Sequence, residues 1–207
     1  MTSPSEARIT LSDFLRMIQA TRITVGQEDL NALLNSAGLS RFVENLFEDD
    51  HAVTVYSSDL AQFNSAVENR YGRGSQAVLR RIGQEMFSIT LAERSIVFNF
   101  TRLAMKMTPK RRRIRFILES LISAAIYSYP SSEAQVEETE HQITYLEHDC
   151  PISVGRKSEQ PICHLTAGEL GAAVRWAAGE EFDVRETQCI ARGDYACRFE
   201  VVERNRT

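Results

Sequence analysis

Two apolar series at helical spacing begin the chain. Phe14, Leu15 and Ile18 lie within residues 11–21, and Leu30, Leu33 and Leu34 within 28–37, where Gly38 supplies a stop. Residues 41–47 add a short third helix. An extended run over 51–56 leads into Ser57, Ser58 and Asp59, side chains suited to capping a helix start, and Leu60, Phe63 and Val67 then share one helical face. Gly72 and Gly74 interrupt that helix, Ser75 opens the next, and Val78, Leu79, Ile82, Met86 and Phe87 form its inward stripe. Residues 95–107 carry mixed signals: Ile96, Val97, Phe98 and Phe100 favour a strand, Leu103, Ala104 and Met105 a helix, and the helical reading is preferred. The clearest helix follows, from a Thr108 cap with Pro109 in its first turn, through Ile114, Ile117, Leu118, Leu121 and Ala125 to Tyr129, before Pro130.

Beyond a polar linker at 131–133 the period shortens to two. Residues 135–147 alternate (Val136; Ile143, Tyr145) and read as two strands around Glu138, Thr139 and Glu140. Residues 182–187 and 195–202 alternate likewise, and Ala191, Arg192, Gly193 and Asp194 have turn composition, so these two runs form a hairpin. The expected fold is α+β, an antiparallel sheet of about four strands packed by helices on one face, with an N-terminal helical extension. Residues 1–50 are that extension, serving dimerisation or joining a single core, and residues 51–204 are the main domain.

Composition narrows the setting. A chain of 207 residues with 43% apolar content can bury one sizeable core. A net charge of −4 argues against a general nucleic-acid binder. The best apolar stretch, 114–129, is interrupted by Arg115 and Glu119, so no membrane span is expected. Met1 to Glu6 lack the basic and apolar regions of a secretory signal, and the expected location is the cytoplasm, where thiols stay reduced. Lys106, Lys110, Arg111, Arg112, Arg113 and Arg115 crowd a helix start and oppose its macrodipole, so acidic side chains elsewhere, a phosphate or a partner must answer them.

Candidate chemistry concentrates near the C-terminus. Cys163, Glu186, Cys189 and Cys197 can offer three thiolates and a carboxylate to one metal ion. Cys163 sits where a helix begins, with Pro161 before it and Leu165, Leu170, Val174 and Ala177 after it. Glu186 and Cys189 would point to opposite faces of an ideal strand, so the strand must bend or end before Cys189 for both to reach one centre. Four protein donors with no open position describe a structural site. Two plainer readings stand beside it: cysteines as small buried apolar residues, and a disulfide between Cys189 and Cys197 across the hairpin.

The run from Pro161 to Val201, with Cys163, Gly168, Gly179, Arg185, Glu186, Cys189, Gly193, Asp194, Cys197 and Phe199, resembles the C-terminal signature of 4-vinyl reductase domains, and Tyr71 to Ser75 with Arg81, Ile82 and Gly83 resembles a stretch upstream in that family. The resemblance covers about residues 53–202 and implies a small-molecule-binding domain of sensory or regulatory type, with zinc held by Cys163, Glu186, Cys189 and Cys197. It also admits an accessory role in tetrapyrrole or bacteriochlorophyll metabolism, or a protein-interaction scaffold. Two departures matter: a family glycine position holds Ala172, with Gly171 beside it, and the position where phenol sensors place an aromatic holds Val184. A phenol ligand is therefore not implied.

A hydrophobic or aromatic ligand is expected between the long helix and the sheet, lined by Phe98, Phe116, Ile117, Tyr127, Tyr145 and Trp176. A homodimer and a downstream protein partner are the expected associations, since no output domain accompanies the binding module. Catalysis is not expected. His51, His141, His148 and His164 have no sequence companion that makes a nucleophile and base pair, and Glu147, His148 and Asp149 read as a solvated strand end. The series Gly72-x-Gly74-x-x-Ala77 follows a helix rather than a strand, which removes the scaffold a dinucleotide fingerprint needs.

Overall fold

The computed structural model describes residues 7–44, 54–96, 98, 107–129 and 133–204. Helices α1 (Leu11–Val25), α2 (Gln27–Ser36) and α3 (Arg41–Glu44) precede α4 (Ser57–Tyr71) and α5 (Ser75–Glu93). Short strands β1 (Arg8–Ile9) and β2 (Val55–Tyr56) pair antiparallel and tie the N-terminal helices to the start of α4. Most of the ambiguous run at 95–107 lies outside the described residues, as do the second half of the 41–47 helix and His51.

The second half contains α6 (Lys110–Ser128), β3 (Ala134–Glu138), β4 (Ile143–Glu147), α7 (His164–Ala178), β5 (Phe182–Gln188) and β6 (Cys197–Glu203). The four strands form one antiparallel sheet in the order β3-β4-β6-β5, so the fold is α+β as the period change requires. Ile143, Tyr145 and Glu147 share the face of Phe199 and Cys197, because Tyr145 stands opposite Phe199 and Glu147 opposite Cys197. Helix α7 is buried along most of its girth, from Leu165 to Ala178, because it lies between α5 and the sheet. Its crossing with α5 is close enough that a Cβ on Gly83 would lie 2.0 Å from the Leu165 carbonyl oxygen, and one on Gly168 2.2 Å from that of Arg80. One hydrophobic core runs from Ala7 and Phe14 through Leu79 and Ile82 to Phe199, and the N-terminal helices share it.

Two helix starts differ from the sequence reading. Helix α4 begins at Ser57, which is buried, and Asp59 accepts the Tyr56 N–H at 3.0 Å, so the carboxylate caps from inside the first turn. Helix α6 begins at Lys110 with Pro109 in the cap position, displacing Thr108 from that role. The basic cluster is answered largely from within: Lys110 pairs with Glu181, Arg111 with Glu138 at 3.1 Å, and Arg115 with Glu119 at 2.8 Å. Among the described residues no helix is long and apolar enough to cross a membrane.

Candidate metal centre

The backbone brings three separated pieces of chain to one point. Cys163 takes the N-cap position of α7, at the end of the long connection from β4. Glu186 lies on β5, where the register against β6 shifts between Glu186 and Gln188. That irregularity is the bend that the odd spacing of Glu186 and Cys189 demands. Cys189 then precedes a short 3-10 turn (Ile190–Arg192) closed by Gly193 at φ 93°, a left-handed conformation suited to glycine. Asp194 secures this turn by accepting the Cys189 N–H at 2.8 Å. Cys197 opens β6 on its inward face.

One potential donor atom from each of Cys163, Glu186, Cys189 and Cys197 falls within 4.8 Å of the others, and all four residues are buried. The sulfur separations are 3.8 Å for Cys163 to Cys189, 3.6 Å for Cys163 to Cys197 and 4.0 Å for Cys189 to Cys197. A tetrahedron of thiolates about 2.3 Å from zinc has edges of about 3.8 Å, so these spacings suit such an ion. Glu186 turns Oε2 to the Cys163 N–H at 2.8 Å and leaves Oε1 buried without a hydrogen-bond partner. An orphaned carboxylate oxygen beside three sulfurs is the donor a cation would satisfy. No disulfide joins the cysteines, which removes the Cys189–Cys197 bridge as a description of this structure.

The protonation chemistry reflects burial and crowding. Desolvation, with neighbouring Cys189, raises the Glu186 carboxyl to about 8. Hydrogen bonds to the other thiols, first that with Cys150, push Cys163 well above the usual thiol range. A divalent cation reverses this, since it favours the ionised form of every donor around it. His164 lies next to the cluster and outside the donor set, and desolvation lowers its imidazole to about 4. Cys150 is also outside the set, with its Sγ 3.3 Å from that of Cys163.

Residues 147–203 match the family model of the 4-vinyl reductase domain. The chain carries such a domain. The match falls on the run from Cys163 to Phe199 that bears the resemblance in sequence, and the matched segment contains all four donors. A curated relative, the bacteriochlorophyll synthase 23 kDa chain of Cereibacter sphaeroides, is 36% identical over 56 residues, an alignment covering 27% of this chain and 27% of that protein. Solved structures extend the likeness in fold beyond the matched segment. An H-NOX protein from S. oneidensis, solved in its Fe(II)NO ligation state, superposes with a TM-score of 0.56 at 15% identity, over 93% of this chain and 98% of that one. An unliganded Fe(II) H-NOX mutant from K. algicida gives 0.58 at 12% identity, over 94% and 96%.

The six residues expected to line a pocket do not converge. Ile117 and Tyr145 are buried, whereas Phe116 is 47% and Tyr127 78% exposed. Phe116 and Tyr127 are about three turns apart on α6, so they share the face opposite Ile114 and Leu118 and cannot line an interior pocket. Phe98 and Trp176 do meet, edge to face at 5.1 Å, and Phe87 joins them at 6.1 and 6.4 Å. The strand end at 147–149 is also not uniformly solvated. Glu147 is buried, its Oε2 has no partner, and desolvation raises its carboxyl to about 8. Continuing the alternation of Ile143 and Tyr145 by two residues places Glu147 on the inner face, a signal that its charge obscured.

Proposed function

We propose that the protein is a small-molecule-binding module of sensory or regulatory type, in which a structural zinc ion fastens one wall of the fold. The observation that carries the reading is the closed set of Cys163, Glu186, Cys189 and Cys197, which links the start of α7 to the β5–β6 hairpin. Zinc here would hold structure rather than activate water, because the donor set fills four positions with protein atoms. The trio of Phe87, Phe98 and Trp176 supports a hydrophobic or aromatic ligand, and the bent wall of β5 behind α7 would keep its contact surface rigid. Trp176 is the only tryptophan in the chain, so intrinsic fluorescence reports on this trio directly.

Elemental mass spectrometry on protein purified without added metal tests the site: about one zinc per chain, lost in Cys189→Ser, is the expected result. Titration with a panel of hydrophobic aromatics should quench Trp176 saturably, and a panel that changes neither fluorescence nor Tm would count against ligand binding. The likeness to the bacteriochlorophyll synthase 23 kDa chain favours a second reading, an accessory role in tetrapyrrole metabolism. Saturable absorbance changes with a porphyrin, without response to simpler aromatics, would single that reading out.

A further inference from the structure

Cys150 is fully buried against the candidate metal centre without belonging to its donor set. Its sulfur lies 3.3 Å from that of Cys163, closer than the 3.6 to 4.0 Å separating the donor sulfurs from one another. A spacing below the about 3.8 Å tetrahedral edge does not suit two sulfurs on one zinc ion. It is the contact of a thiol resting on a neighbouring sulfur. The Cys150 carbonyl does the local structural work, accepting the Ser153 and Val154 N–H groups at 3.1 Å each, so the thiol is not needed to hold the turn.

The two sulfurs stand at opposite ends of the irregular connection from β4 to α7, 13 residues apart. Bringing them to the about 2.0 Å of a disulfide bond therefore asks for adjustment of that connection rather than displacement of a strand or helix. An open groove of about 570 Å³, lined by residues 156–159 and 190–193, lies over the same region. At its floor the Ile190 N–H donates to Cys197 Sγ at 3.5 Å, so a small oxidant entering the groove comes next to the cluster.

We propose that Cys150 and Cys163 form a dithiol that a hydroperoxide oxidises to a disulfide, releasing the metal that Cys163 helps to hold. The metal half of this inference rests on the zinc reading above. The Cys163 thiolate attacks one peroxide oxygen, the O–O bond breaks, and hydroxide leaves a sulfenic acid. That hydroxide takes the Cys150 proton to give water. The Cys150 thiolate then attacks the sulfenic sulfur, the S–S bond forms, the S–O bond breaks and a second hydroxide departs. Two electrons pass from the two sulfurs to the peroxide, and the ion loses one of its thiolates.

The test treats the metal-loaded full chain with hydrogen peroxide, reads released metal with a chromogenic chelator, and maps disulfides by mass spectrometry under non-reducing conditions. Release in step with a Cys150–Cys163 cross-link, reversed by dithiothreitol and added metal, is expected. Cys150→Ser should need on the order of ten-fold more peroxide and lose reversibility, because a sulfenic acid without a resolving thiol proceeds to sulfinic acid. Cross-links confined to pairs among Cys163, Cys189 and Cys197, or equally reversible release from Cys150→Ser, would overturn the proposal. Folded protein that holds no metal as purified would defeat the zinc reading and metal release together. The cross-link map, made on the unsubstituted chain, still decides the dithiol in that case.

Discussion

At the scale of single residues, the candidate centre depends on donors that differ in what else they do. Cys189 Sγ has only sulfur neighbours among its side-chain contacts, whereas Glu186 also accepts the Cys163 N–H at the start of α7. Cys189→Ser should therefore abolish stoichiometric metal with limited damage to the metal-free fold. Glu186→Gln keeps an acceptor for that N–H while losing the charge, so weakened metal retention against a competing chelator is the expected result, with the metal-free Tm little changed. A Glu186→Gln protein that retains zinc as firmly as the parent would remove the carboxylate from the donor set. Cys163, Glu186, Cys189 and Cys197 were legible in the sequence because thiols and a carboxylate near turns are unusual enough to notice. Glu147 was not, because a charged residue at a strand end reads as solvated until its opposite number, Cys197, is known.

At the scale of elements, the α5–α7 crossing is set by two glycines. Gly83 and Gly168 let the backbones approach to distances that a Cβ would violate against main-chain atoms, which cannot swing aside as a side chain can. Gly168→Ala should cost about 1–3 kcal/mol or more, the usual penalty of overpacking, seen as a lower urea midpoint with unchanged m-value. Gly74→Ala is the control, since nothing lies within 4 Å of a Cβ there. An equal response in both variants would show that the close crossing carries no special weight. The helix pattern predicted α5 and α7 from their apolar spacing but could not show that they touch, because helical periodicity fixes a face and not its partner. The shift in β5 was legible in a limited sense: the odd spacing of Glu186 and Cys189 demanded a bend, and the register shows where it falls.

At the scale of the whole molecule, stability should respond to pH in opposite senses with and without metal. In the metal-free protein burial holds Glu147 and Glu186 near 8 and Glu169 near 7, all above the ordinary 4.5. Each favours the fold while protonated, so that stability is complete below about 4.5 and is lost as pH rises through the folded values. His164, lowered to about 4, acts in the other direction only below its ordinary 6.5. Cys150, where desolvation is outweighed by hydrogen bonds from Cys163 and Cys197, ends near 7 and partly opposes the carboxyls above that. Three carboxyls against one thiol leave metal-free stability falling from about pH 6.5 to 8, measurable by urea unfolding at each pH. Metal binding releases the donors' protons, so the metal-loaded protein should gain stability over the same window. Parallel slopes for the two forms would contradict ionised donors around a cation. The trio of Phe87, Phe98 and Trp176 also belongs to this scale, since α5 and α7 bring two of its members together from distant parts of the chain.

The sequence alone determined the α+β class, the four-stranded sheet, the helix-start position of Cys163 and the donor set, because periodicity and residue chemistry are local properties. The tertiary structure decided which faces met. It turned Phe116 and Tyr127 outward, drew Glu147 inward beside Cys197, closed α5 onto α7 through glycine, and set Cys150 against Cys163. Each of these depends on how separate elements pack, and packing joins residues whose spacing along the chain carries no record of their contact.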